Sequence, residues 1–141
     1  MYLPIMELKD VNNTPRLNVE IVEVNPEHMK KNMLEVFYAN LDCSLVEKVN
    51  LTDDLDFIID EQGLFKNHKY GVQFPNYPNQ FKDNVFTGKC TFVKVVERNE
   101  GCKGINKCWQ PFENPEEIMD IQKKYFDKVV AYLKENNSNL N

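Results

Sequence analysis

The chain is short of nearly every residue that announces a chemistry. It has two histidines, His28 and His68, in 141 residues. Neither is next to a cysteine in sequence, so no Cys–His nucleophile pair is written locally. Its five glycines form no phosphate-cradling loop, and no GxGxxG, GxSxG or HExxH pattern occurs. Four cysteines, Cys43, Cys90, Cys102 and Cys108, are too few and too scattered for a disulfide scaffold. The Cys102–Cys108 spacing is not that of a structural zinc site, and Cys43 and Cys90 sit at apolar positions where a thiol behaves as a small hydrophobe. No metal site and no cofactor are expected. No apolar run approaches the roughly 18 residues a membrane span needs. The start, MYLPIMELKD, lacks the basic head and apolar middle of a secretory signal, so a cytoplasmic location is expected. A basic surplus is missing too. Net charge is −5 and the pI about 5.1, which argues against a general nucleic-acid binder.

What is present is ordinary core material, with 42% hydrophobic and 28% charged residues, nine Phe and six Tyr. That is enough for one domain with one core. Residues 17–24, LNVEIVEV, alternate and are rich in β-branched side chains, as in a half-buried strand. Asn25-Pro26 then starts a helix over 26–40, with Met29, Met33, Val36, Phe37 and Leu41 on its buried face. Residues 45–51 and 55–60 read as an antiparallel hairpin joined at Thr52-Asp53-Asp54. Both faces of 55–60 are mostly apolar, so that strand should be well buried. Gly63 closes it with the positive φ a tight turn often requires. Residues 85–96 form another strand, with Gly88 at a bulge or a close approach. Asn114-Pro115-Glu116-Glu117 opens a helix over 115–136. The expected fold is therefore α+β: a mostly antiparallel four-stranded sheet with two packed helices. Residues 1–16 make an irregular arm with room for one short strand, 17–136 one domain, and 137–141 a disordered tail.

Two features stand out as candidates for function. Residues 51–64 carry five acidic side chains and no basic one: Asp53, Asp54, Asp56, Asp60 and Glu61. They could present negative charge to a basic groove, serve acid–base or cation chemistry, or only solvate the hairpin ends. Residues 67–83 read as a long loop. The 65–81 stretch interleaves Phe65, Tyr70, Phe74, Tyr77 and Phe81 with asparagine and proline, which suits either a binding surface or a lid over the core.

Three segments carry a resemblance: FYANLDCSLVEKV (37–49), DLDFIIDEQGLFKN (54–67) and VFTGKCTFV (85–93). Their order and spacing resemble a family of small uncharacterised proteins of bacteriophages, plasmids and other mobile elements. The matching positions are Leu41 and Cys43, then Asp60, Glu61, Gly63 and Leu64, then Gly88. Some of its members are similar to an anti-CRISPR protein acting on a type II-A Cas effector. The resemblance implies an α+β fold with no known cofactor or catalytic residues. It covers about 40% of this chain, which departs from it in the arm over 1–16 and the insertion over 102–109. The expected function is that of a non-enzymatic phage or mobile-element accessory protein. It would occlude a basic surface on a host or defence protein in the host cytoplasm, through Asp53, Asp54, Asp56, Asp60, Glu61, Tyr70, Phe74 and Tyr77. The alternative is a small-ligand-binding domain or small enzyme using carboxylates near Asp60 and Glu61.

Overall fold

A computed structural model describes residues 1–63, 66, 70–73, 86–97, 107–125 and 130–133. The fold is α+β and antiparallel, but its main sheet has six strands, and a smaller sheet of three lies beside it.

The expected irregular arm is a strand. β1 (Tyr2–Val11) and β2 (Thr14–Glu23) pair without a break from Tyr2↔Glu23 to Val11↔Thr14. Asn12 and Asn13 turn the chain with φ of 53° and 64°, the left-handed geometry a two-residue hairpin demands. Within the expected arm Asn12-Asn13 is therefore a hairpin turn, and β2 begins three residues before the expected strand. Pro4 in β1 faces β7 and has no N–H to give it. β1 meets that side only on either side of Pro4, through Tyr2 to Phe112 and through Met6 to Cys90.

The expected helix over 26–40 is two. α1 (Pro26–Lys31) is capped as the sequence implied: Asn25 Oδ1 accepts from the Glu27 and His28 amides at 2.9 and 3.1 Å. α2 (Met33–Leu41) follows a break at Asn32, whose φ of −132° is not helical. Asparagine competes locally for backbone groups and is a weak helix former. Asp42 ends α2 in the left-handed conformation, with its amide on the Tyr38 carbonyl.

β3 (Val46–Thr52) and β4 (Leu55–Asp60) form the expected hairpin, with a bulge at Leu51. Every residue of β4 is buried. The segment expected as one strand over 85–96 divides into β6 (Phe86–Thr87) and β7 (Cys90–Glu97), broken at Gly88, where φ is 87°. β5 (Tyr70–Gln73) lies inside the segment expected to be loop and pairs with β6. β8 (Lys107–Gln110) begins inside the insertion over 102–109 and pairs with β7. α3 is described over Pro115–Tyr125, and β9 (Val130–Leu133), which falls inside the helix expected over 115–136, pairs with β5. A helical spacing of apolar residues could not anticipate a strand partner some sixty residues earlier. The expected tail, 137–141, lies outside the described residues.

The main sheet runs β2-β1-β7-β4-β3, with β8 also on β7. Its period of two sorts the core into halves. Met6, Leu55, Phe57, Ile59, Cys90 and Phe92 point to one face, under Ile118 of α3 and Phe86 of β6. Leu3, Ile5, Ile58 and Val93 point to the other, under Met29, Val36, Phe37 and Leu41 of α1 and α2. Phe57 and Phe92 are fully buried, worth about 1.5–3 kcal/mol each. Among the described residues no helix is long and apolar enough to cross a membrane.

Gly63 does not adopt positive φ; its requirement is space. A Cβ there would lie 2.5 Å from the Thr87 carbonyl oxygen and 2.8 Å from its Oγ1. Gly63→Ala should cost about 1–3 kcal/mol in urea denaturation, because backbone must move to admit the methyl. Cys90 gives a pH test. Burial pushes its thiol up from 9.0 to about 12. Above pH 9 the unfolded chain releases this proton while the folded chain keeps it, so stability falls as pH rises, by up to about 1.4 kcal/mol per unit. Cys90→Ala lacks that slope, so its deficit against wild type at neutral pH should shrink as urea melts are repeated above pH 9.

Candidate partner-binding surface

The structure splits the acidic stretch into groups with different environments. Asp53 and Asp54 lie in the β3–β4 turn and are exposed. The turn is pinned: the Asp54 amide donates to Thr52 Oγ1 at 3.2 Å, and the Asp54 carbonyl accepts from the Val95 amide at 2.8 Å. Both carboxylates are therefore carried on a fixed support. On β7, the next residue back from Val95 is Lys94, which pairs with Glu117 of α3 at 2.7 Å. That contact brings the start of α3, with exposed Glu116, toward the same end of the sheet.

Asp56 is not on any rim. It is 3% exposed, on the face of β4 that carries Ile58. Its Oδ2 accepts from Trp109 Nε1 at 2.7 Å and its Oδ1 from Asn50 Nδ2 at 3.3 Å. Trp109 reaches it across β7 and also packs edge-on against Phe37, with ring centroids 5.5 Å apart. A buried carboxylate is tolerable only when donors replace its water. Here those donors come from β3 and β8.

Asp60 is also buried, at the opposite end of β4. Lys66 Nζ lies 2.6 Å from Oδ2, and the Gln62 amide donates to Oδ1 at 2.9 Å. Lys66 Nζ also donates to the Asp42 carbonyl at 3.2 Å, and Lys89 pairs with the Asp42 carboxylate at 2.6 Å. That hydrogen bond holds the Lys89 ammonium above its ordinary value. Cys43 lies in the same neighbourhood. Burial, then the Asp60 charge, push its thiol up, away from the nucleophilic thiolate form. This network joins the end of α2 to the end of β4 and uses the carboxylate that the alternative function required. Glu61 beside it is exposed, with its amide on the Leu45 carbonyl at 3.1 Å.

Asp54 and Glu61 are seven residues apart along an extended strand, roughly 23 Å. The five acids therefore do not form one rim. Tyr70 is 5% exposed, and its hydroxyl donates to Asp10 Oδ1 at 3.1 Å, which ties β5 to the first hairpin. Phe74 and Tyr77 lie outside the described residues, as do Phe65, Phe81, His68 and Cys102. Among the described residues Cys43, Cys90 and Cys108 are free thiols, and no group of His, Cys, Asp or Glu is arranged to hold a metal ion. A shallow groove of about 420 Å³, lined by Glu23, His28, Glu35 and Asn40 among others, lies between β2 and the first two helices, away from the acids.

Lys66, Lys89 and Trp109 were not anticipated. The lone tryptophan in the insertion over 102–109 was the available signal, because an indole in a compact domain is usually packed and its N–H usually bonded. Comparison with family models, with curated proteins and with solved structures finds no match in any of them.

Removing the Asp56 carboxylate leaves the half-buried Trp109 N–H without its acceptor. Asp56→Ala should lose about 2–3 kcal/mol of stability. Trp109 is the sole tryptophan, so its fluorescence during urea unfolding reads this directly. Asp56→Asn, which keeps one acceptor oxygen, should lose less.

Proposed function

We propose that the chain is a non-enzymatic binding protein that covers a basic surface on another protein, with the Asp53–Asp54 turn as the point of contact. The observation that carries this reading is the contrast among the acids. Asp56 and Asp60 are buried and serve the fold, whereas Asp53 and Asp54 are exposed on a turn held by Thr52 and Val95. A turn whose backbone is already pinned loses little backbone freedom on binding, and a net charge of −5 steers a cationic partner toward the protein. Glu61, at the far end of β4, would belong to a second contact or to none. The finer reading rests on the three-segment resemblance alone: a phage or mobile-element accessory protein in the host cytoplasm, occluding a host or defence protein in the manner of an anti-CRISPR. Phe74 and Tyr77 enter it as aromatic anchors on the sequence pattern.

Capture from host lysate on the tagged protein, at low and high salt, tests both levels. The expected result is one stoichiometric protein partner, retained at low salt and released at high salt. Asp53→Lys/Asp54→Lys should slow association with that partner about tenfold at low salt and flatten its salt dependence. Both residues are exposed, so the variant should fold as wild type; Asp56→Lys would instead report on folding. A partner held equally well by the double variant removes the turn as the contact.

A further inference from the structure

The free edge of β2 is built to pair with itself. β2 pairs with β1 through all ten residues, and among the described residues it has no other strand partner. The other edge, β3, is interrupted by the bulge at Leu51, a feature that discourages edge pairing. β2 carries no bulge. Val24 donates its amide to the Met1 carbonyl at 2.8 Å, which fixes the alternation along the strand. Residues 14, 16, 18, 20 and 22 spend their backbone groups on β1. Residues 15, 17, 19, 21 and 23 turn theirs outward. Pro15 offers a carbonyl but no N–H, so it closes one end of the usable edge.

We propose that two copies of this chain join at this edge, β2 to β2 in antiparallel register about a two-fold axis through Asn18, so that the two main sheets become one. In this register Leu17 faces Val19 of the second copy and the two exchange both backbone hydrogen bonds, with the same pair repeated by symmetry. Ile21 of one copy donates to the Pro15 carbonyl of the other. On the side-chain face that carries Val22, Arg16 lies opposite Glu20 of the second copy, again twice. On the opposite face Leu17 lies against Val19, and the 37% exposed Ile21 lies against Pro15.

Charge selects this register from its neighbours. The one centred on Glu20 sets two like charges face to face, and those centred on Leu17 or Val19 set Arg16 against Asn18 or Val22. Only the Asn18 register joins opposite charges, and opposite-charge cross-strand pairs stabilise a ladder where like charges weaken it. Arg16, Asn18 and Glu20 are all exposed. Arg16 and Glu20 make no ion pair with a described residue. The contact is isologous and closes at two copies. It lies apart from the Asp53–Asp54 turn, because β2 and β3 are opposite edges of the sheet.

Sedimentation equilibrium of the full chain across a concentration series tests the proposal. Wild type should dimerise, more weakly at high salt. Arg16→Glu and Glu20→Arg should each raise the dimer Kd about tenfold or more, since each turns two attractive pairs into repulsive ones. The double swap, Arg16→Glu with Glu20→Arg, should return the Kd to near the wild-type value. Circular dichroism should be unchanged in all three, because these side chains are exposed and form no ion pair or hydrogen bond with a described residue. A wild type that stays monomeric into the millimolar range overturns the proposal. So does a dimer indifferent to either single reversal, or one weakened by both and not restored by the swap.

Discussion

β4 has no solvent face, and the rest of the molecule follows from that constraint. A strand buried on both sides needs a ladder partner at each edge and a cover on each face. β3 and β7 supply the ladders. α1 and α2 cover one face, and α3 with β6 covers the other. β7, next to it, needs the same treatment. Its outer edge is shared between β1 and β8, because Pro4 prevents β1 from following it throughout. The second sheet then closes the face that α3 leaves open, with Phe86 edge-on to Phe57 at 5.5 Å.

The polar groups caught in this arrangement are resolved by local donors. Asp56 cannot reach water from the middle of the sheet, so Trp109 and Asn50 satisfy it. The effect is to tie β8, β4 and β3 at one level, and to orient the indole that packs on Phe37. Asp60 is satisfied by Lys66 and by the turn that follows it. At one sequence distance from one another, then, lie carboxylates that hold the fold and carboxylates that meet solvent. The difference is position, not chemistry: Asp56 and Asp60 lie within β4, every residue of which is buried, and Asp53 and Asp54 lie in the turn before it.

Association surfaces occupy what the core leaves over. The β3–β4 turn extends past the covered faces and carries two fixed charges. The β2 edge is straight, polar on one face and apolar on the other, and self-complementary in charge about Asn18. One feature is a point contact for a cation, the other a ladder for an identical strand. They occupy different parts of the sheet, so neither excludes the other on steric grounds.

The residues by themselves determined the class of fold, the antiparallel β3–β4 hairpin, the cap at Asn25-Pro26 and the start of α3 at Pro115. Each is a local signal: alternation, a capping side chain, a proline at the first helical turn. They also marked 55–60 as buried, since both faces were apolar. Only the tertiary structure decided what depends on distant partners. β9 is a strand because β5 offers it an edge; in isolation 130–133 continues a helical spacing. β1 is a strand because β2 and β7 flank it, which Pro4 within it concealed. Gly63 is needed for the nearness of Thr87, not for its own φ. Asp56 and Asp60 look like Asp53 and Asp54 in the sequence. They differ because burial is a property of the assembled sheet, and hydrogen-bond donors from positions 50, 66 and 109 reach them only after folding.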